Sequence, residues 1–158
     1  MNITVISVGK IKEKYFTAAI DEYSKRLSRV AKLNIIEVAD EKIPDNASEK
    51  EMEQIKEKEG NKILAKLPQN SFVVTLCIEG KEHSSEELAK KIADISMTSS
   101  HITFIIGGSL GLSNTVKSKS ALRLSFGKMT LPHQLMRVVL LEQIYRAFKI
   151  NNNESYHK

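Results

Sequence analysis

The residues best suited to chemistry lie in the last third of the chain, in the segment FGKMTLPH at positions 126–133. A bare, glycine-containing loop stands here directly before a long apolar helix. Because an irregular loop leaves peptide N–H and C=O groups unpaired, its main chain can bind a small molecule. His133 follows the loop, and Arg137 comes one helical turn later on the same face. We therefore expect a small-molecule site at this loop.

A second glycine-rich turn, GGSLG, follows an apolar segment at positions 107–111. The spacing Gly107-x-Ser109-x-Gly111 fits the nucleophile elbow of serine hydrolases. That mechanism needs an acid after the serine, but the last aspartate is Asp94, and only two glutamates follow Ser109. An ordinary turn is the favoured interpretation, and a small serine hydrolase stays an alternative. Neither turn matches the phosphate-binding loop of nucleotide hydrolases or the dinucleotide fingerprint.

Cysteine and histidine give no sign of a metal site. The only cysteine, Cys77, lies within the apolar run FVVTLCI, which favours a buried core thiol over a nucleophile. The four histidines share no ligand spacing with one another or with Cys77. No metal is predicted.

The composition is that of an ordinary globular chain, with 158 residues, 41% hydrophobic and 27% charged. We expect one domain spanning 1–158, without a membrane span or secretion leader, and hence a cytoplasmic protein. Residues 1–116 carry 16 basic and 17 acidic side chains, whereas residues 117–158 carry 8 basic and 2 acidic ones. This asymmetry indicates an anionic partner or, alternatively, a solvated basic face.

Strand-like and helical patterns alternate along the chain, which predicts an α/β fold with a mostly parallel sheet. Helices are expected at 13–30, after capping boxes at Ser48 and Ser84, and at 132–150. The predicted strands are residues 2–8, 33–38, 71–78, 101–107 and 121–125. In such sheets, ligands bind beyond the carboxyl ends of the strands, where both glycine-containing turns lie.

The last helix is apolar nearly all round, so more than one of its faces must be covered. One sheet in a small domain covers one face. The pattern therefore predicts a homodimer formed through this helix.

Three segments together resemble the ribosomal RNA large subunit methyltransferase H family of the SPOUT superfamily. They are FIIGGSLGLS, LSFGKMTLPHQLMRVVLLEQIYRAFKI and the terminal NNNESYHK. The opening ITVISVGKIKEKYF resembles the start of that family, and the match covers essentially the whole chain.

The resemblance implies a C-terminal trefoil knot, a homodimer and the cofactor S-adenosyl-L-methionine. It implies as substrate a pseudouridine of 23S rRNA, methylated at N3 in the assembled ribosome. Carried over by position, the cofactor contacts are Leu76, Gly107, Phe126, Gly127, Lys128, Met129, Thr130 and Leu131. A noncatalytic RNA-binding protein is a further alternative.

Removing the N3 proton would make the base nucleophilic, so a nearby base or cation would help. We expect His133 and Arg137 to shape the site. Tyr156 and His157, from either subunit, are expected to approach the target base. RNA phosphates are expected to bind basic side chains. The candidates are Lys117, Lys119, Arg123, Arg146 and Lys149.

Overall fold

The computed structural model describes all 158 residues and contains five strands that alternate with five helices. The strands are β1 (Asn2–Val8), β2 (Lys32–Val38), β3 (Phe72–Glu82), β4 (His101–Ile106) and β5 (Leu122–Ser125). The helices are α1 (Lys14–Leu27), α2 (Glu49–Lys66), α3 (Ser85–Ser96), α4 (Asn114–Ser118) and α5 (His133–Asn151). All strands pair in parallel in one sheet, in the order β2-β1-β4-β3-β5. The predicted α/β class is confirmed. The knot stays a prediction.

The sheet is covered on both faces, which explains why its central strands are continuous apolar runs. Successive side chains of a strand point to opposite faces. In β4, Phe104 accordingly joins the core formed with α1, α3 and α5, whereas Ile105 joins a smaller core formed with α2 and α4.

Helix starts agree with the capping chemistry expected from the sequence. Ser48 accepts a hydrogen bond from the N–H of Glu51, and Ser84 accepts one from the N–H of Glu87. In both cases the glutamate side chain accepts a hydrogen bond from the N–H of the capping serine, so both predicted capping boxes are confirmed. Pro132 precedes the first residue of α5.

Helix α5 lies against α1 and α3 and buries one stripe of its surface. Its buried residues are Arg137, Leu140, Leu141, Ile144 and Ala147. The remaining large apolar side chains of α5 keep part of their surface exposed within the single chain. They are Leu135, Met136, Val138, Val139, Tyr145, Phe148 and Ile150.

Strand β3 is longer than its apolar run, which ends at Ile78. Its pairing with β5 shifts register between Leu76 and Lys81, so a bulge separates two paired parts. Gly80 permits this, since a Cβ there would lie 2.6 Å from the carbonyl oxygen of Arg123. The expected strand at 71–78 therefore continues to Glu82. Residues 77–79, within the bulge, line the cavity described next.

Candidate active site

A large cavity opens at the carboxyl ends of β3, β4 and β5, beside the first turn of α5. Its volume of 750 Å³ falls within the roughly 300–1,000 Å³ typical of small-molecule sites. Its walls are residues 76–79 of β3, Ile106 at the end of β4 with residues 107–112 after it, and much of the segment 126–136. The position agrees with the expectation that ligands bind at the carboxyl edge of an open α/β sheet.

Seven of the eight predicted cofactor residues line this one cavity. They are Leu76, Gly107, Phe126, Gly127, Met129, Thr130 and Leu131. The side chain of Lys128 is exposed and does not line the cavity. Three segments separated by up to fifty residues in sequence are thus brought together by the parallel sheet.

The loop between β5 and α5, residues 126–132, presents an unusual amount of free main chain. The N–H of Gly127 donates to Oγ of Ser125 at 3.1 Å. The five other N–H groups of residues 126–131 make no hydrogen bond within the chain. Met129 is 88% exposed and Leu131 is 37% exposed, so the loop is held by few contacts of its own. These peptide groups are available to a ligand.

The bulge of β3 forms a second wall and is tied to the β5–α5 loop. The hydroxyl of Ser125 donates to the carbonyl oxygen of Ile78 at 2.8 Å. Cys77 is 8% exposed, and burial raises the pKa of its thiol above the ordinary value. The thiol therefore stays protonated at neutral pH, in agreement with the expected core role.

The third wall, residues 107–113, is named here the glycine wall. A Cβ on Gly107 would lie 2.7 Å from the carbonyl carbon of Gly111, so only glycine fits. Gly111 has a φ of +85° and donates its N–H to the carbonyl oxygen of Gly108 at 3.0 Å. Ser113 closes the wall by capping α4 at Val116. This wall is fixed by bonds within the chain.

Ser109 in the glycine wall lacks the partners of a hydrolytic nucleophile. The histidine hydrogen bonds of the structure involve His83, His101 and His157, and none of them reaches Ser109. The geometry gives no support to the serine hydrolase alternative.

His133, at the start of α5, lies at the cavity as expected. Its pKa is lowered from the ordinary value of 6.5, first by burial and second by the positive charge of Arg137. The imidazole is therefore neutral at pH 7 and can accept a proton.

Arg137 lies behind the cavity and is 3% exposed. Its guanidinium donates to the carbonyl oxygens of Val8 and Gly9 at 2.8 Å each, and to Glu37 at 2.7 Å. Burial lowers the pKa of Arg137, and Glu37 opposes that shift. Arg137 joins the ends of β1 and β2 to α5. It does not line the cavity.

The C-terminal tail folds back along its own α5 and does not line the cavity. The Tyr156 hydroxyl donates to Glu142 at 3.2 Å, and the His157 ring lies 2.7 Å from Glu86 and 3.1 Å from Arg146. Burial is the first cause that raises the pKa of Tyr156, so its phenol is protonated at neutral pH. Within one chain, the structure does not bring Tyr156 and His157 to His133.

Sequence reasoning missed Glu59, which is 5% exposed in α2 directly behind the glycine wall. Its pKa is raised, chiefly by burial. Gly60 gave the one available signal, since glycine inside a helix often marks a close contact.

Two general findings bear on the kind of protein this is. None of its helices combines the length and the apolar character needed to span a membrane. No three His, Cys, Asp or Glu side chains are grouped so that they could hold a metal ion.

Comparison with known proteins places the chain among methyltransferases. The family model described as "Predicted SPOUT methyltransferase" matches residues 1–157. The ribosomal RNA large subunit methyltransferases H of Clostridium novyi and Clostridioides difficile are 62% and 60% identical, with both chains covered completely. A protein from Legionella pneumophila, solved with the bound cofactor SAM, has a TM-score of 0.51 at 12% identity. That match covers 94% of this chain and 66% of the other, and it supports the fold.

Proposed function

The chain belongs to the SPOUT methyltransferase family, and on that premise we propose that it methylates large-subunit ribosomal RNA with S-adenosylmethionine. Full-length relatives at 60% identity and above carry that activity in their names. The finer proposal is transfer to N3 of a pseudouridine of 23S rRNA within the assembled ribosome, in the cytoplasm.

The free main chain of the β5–α5 loop carries this proposal. Four unpaired N–H groups, of Phe126, Met129, Thr130 and Leu131, belong to residues that line a cavity of 750 Å³. Leu76, Phe126 and Leu131 give this cavity apolar surfaces. Peptide groups can bind the edge of an adenine, and the apolar side chains can enclose its ring. The closely packed glycine wall gives the opposite side of the cavity a fixed shape. The residues present therefore fit S-adenosylmethionine.

When bound, S-adenosylmethionine supplies a methyl group on a positively charged sulfur. The task left to the protein is largely to hold two reactants in line, because displacement depends on their orientation. The three walls restrict the position of the donor, and the open side beside His133 admits the RNA base.

His133 is the proposed proton acceptor for the N3–H of the target base. It lies at the cavity, and its neutral form predominates at pH 7. Arg137 is a positioning residue, since its bonds to the ends of β1 and β2 fix the first turns of α5. Proton transfer by a positioned side chain contributes typically about 10²–10⁴-fold to a rate.

A homodimer through α5 is proposed from its half-exposed apolar residues. Leu135, Val138 and Val139 lie near the cavity end of the helix and would be covered by a second copy. Such a partner could bring its own Tyr156 and His157 to this cavity, which the chain's own tail does not line. Sedimentation would test the dimer. Deletion of 155–158 would test the tail, since unchanged turnover on ribosomes would exclude its role.

Ion pairs within the chain divide the expected RNA contacts into two groups. Lys117 is paired with Glu79 at 2.6 Å, and Lys149 with Glu154 at 2.8 Å. Arg146 is paired with Glu142. Lys119 and Arg123 are exposed and have no ion pair. We propose these last two as phosphate contacts, because their charges are not already compensated.

Methyl transfer to ribosomes is the direct test. The protein is incubated with S-adenosylmethionine labelled in its methyl group and with assembled ribosomes that lack the modification. The expected result is label in large-subunit rRNA and an equal amount of adenosylhomocysteine. Ribosome binding without adenosylhomocysteine release would instead support a noncatalytic RNA-binding protein.

A further inference from the structure

We propose that α2 is a positioning element for the cofactor site, in which Glu59 and Gly60 hold the glycine wall in its binding conformation. This inference rests on the proposed use of S-adenosylmethionine. It concerns helix α2, of which Lys56 lines the cavity while Glu59 and Gly60 lie behind the wall. None of its residues was expected to take part in the site.

Glu59 contacts two loops at once. Its Oε2 accepts a hydrogen bond from the N–H of Glu41 at 3.0 Å, which ties it to the loop between β2 and α2. Its Oε1 lies 3.3 Å from the place where a Cβ on Gly108 would stand, so the carboxyl group lies directly beside the wall at Gly108. Burying a carboxyl group costs free energy unless its contacts compensate. The burial of Glu59 between two loops therefore indicates that its contacts stabilise them.

The environment of Glu59 raises its pKa above the ordinary value of 4.5. Burial is the largest cause of this shift, and the hydrogen bond from the N–H of Glu41 opposes it. The charges of Asp40 and Glu41 raise the pKa further, and Lys62 lowers it. A glutamine resembles the native side chain in shape and keeps an oxygen that can accept the hydrogen bond from Glu41. A leucine would fill similar space without any polar contact.

Gly60 allows α2 to approach the far end of the wall. A Cβ on this residue would lie 2.6 Å from Oγ of Ser113 and 3.0 Å from a methyl group of Val116. Ser113 caps α4 through the same oxygen, so a side chain at position 60 would displace the cap. The wall is thus supported at Gly108 by Glu59 and at Ser113 by Gly60.

A third contact from the same turns of α2 continues this support. The hydroxyl of Thr115, in α4, donates to the carboxylate of Glu57 at 3.1 Å. Residues 57, 59 and 60 therefore contact the segment 108–116 at three points. A wall supported in this way keeps its shape before the cofactor arrives, which reduces the ordering cost of binding.

The test compares Glu59→Leu with Glu59→Gln, with Lys58→Leu as the control. Lys58 is the exposed neighbour on the same helix and has no ion pair. Affinity for S-adenosylmethionine is measured by calorimetry, and folding by thermal unfolding. We expect Glu59→Leu to stay folded, because replacing a buried ionisable group by a well-packed apolar one is often tolerated.

The expected result is a loss of affinity of at least about tenfold for Glu59→Leu, since small misplacements of a binding wall are costly. Glu59→Gln and Lys58→Leu should stay within about twofold of the native protein. In turnover, Glu59→Leu should raise KM for S-adenosylmethionine and leave kcat at saturation nearly unchanged.

Gly60→Ala provides an independent variant in case Glu59→Leu fails to fold. It should weaken binding of S-adenosylmethionine, and amide hydrogen exchange should become faster at Gly111, whose N–H bond closes the wall. Folded Glu59→Leu and Gly60→Ala proteins with native affinity would overturn the inference. A native protein that does not bind S-adenosylmethionine at all would instead refute the proposed function.

Discussion

The two glycine-containing segments on opposite sides of the cavity differ in how they are held. The glycine wall is closed by the bond from Gly111 to Gly108, capped by Ser113 and supported from behind by α2. The β5–α5 loop has one bonded N–H group, at Gly127, and its Met129 side chain stands almost free in solvent. One side of the site is therefore preformed, whereas the other keeps its hydrogen-bonding groups for a ligand.

This contrast separates two ways in which a variant can damage the same site. Substitutions in the glycine wall should change the shape of the cavity, because the wall is already closely packed and bonded within the chain. Changes in the loop should act through the main chain, because its side chains contribute few contacts within the protein.

Gly107→Val should have the largest effect, since a branched side chain would enter the main chain at Gly111. We expect affinity for S-adenosylmethionine to fall by about 100-fold or more, as measured by calorimetric titration. Ala121→Val, at an exposed position before β5, serves as the control and should bind normally. Retained affinity in folded Gly107→Val would show that the wall does not shape the site.

His133→Asn tests the residue that lies between the two sides. The variant cannot accept the proton, so kcat on ribosomes should fall by about 10²-fold or more. Affinity for S-adenosylmethionine, measured separately by calorimetry, should change far less. An unchanged kcat would remove His133 from the chemistry and leave it a wall residue.

Met129→Pro and Met129→Ala distinguish main chain from side chain in the β5–α5 loop. Proline removes the N–H at position 129, and we expect it to weaken binding of S-adenosylmethionine about tenfold, the loss of roughly one hydrogen bond. Alanine keeps the N–H and should stay within about threefold, because the native side chain is 88% exposed. Equal losses in both titrations would assign the contact to the side chain.

Lys119 and Arg123 lie outside both sides of the cavity. Replacing either with alanine should affect only the binding of RNA. Each substitution should raise KM for ribosomes by about threefold and reduce its salt dependence, with S-adenosylmethionine affinity unchanged. Lys149→Ala is the control, because Lys149 is already paired with Glu154. A larger effect in the control would contradict the assignment made from ion pairs.

The pH profile of kcat should show the smallest effect. Because burial lowers the pKa of His133 below 6.5, its neutral form persists as the pH falls to that value. The rate should therefore stay above half of its maximum at pH 6.5 and fall to half only at a lower pH, where the imidazole becomes protonated. A rate already halved at pH 6.5 would indicate a histidine with an ordinary pKa.

Local patterns in the sequence predicted much of the fold, since they depend on neighbours along the chain. The capping boxes at Ser48 and Ser84 need only residues three positions apart. The apolar runs of β1 and β4 reflect burial on both faces, which a parallel sheet requires. The predicted end of β3 at residue 78 was wrong, since the strand continues to Glu82. The bulge that allows this depends on the close packing of Gly80 against Arg123 in another strand.

Site residues were predictable where the local sequence determines a loop's free main chain. They were less predictable where contacts with residues distant in sequence determine the position of a side chain. The β5–α5 loop was expected from its composition and from the resemblance, and it borders the cavity. Arg137 has helical spacing with His133, but its partner Glu37 is 100 positions away, and that contact turns it from the cavity. Glu59 gave no sign in the sequence because only the folded chain brings it to Gly108.

Amide hydrogen exchange with and without S-adenosylmethionine tests the central claim most directly. The account predicts that the N–H groups of residues 128–131 exchange at least about tenfold more slowly when the donor is bound. Gly111, bonded in both states, should change little. If S-adenosylmethionine binds and the exchange of residues 128–131 is unchanged, the main chain of the loop does not hold the donor.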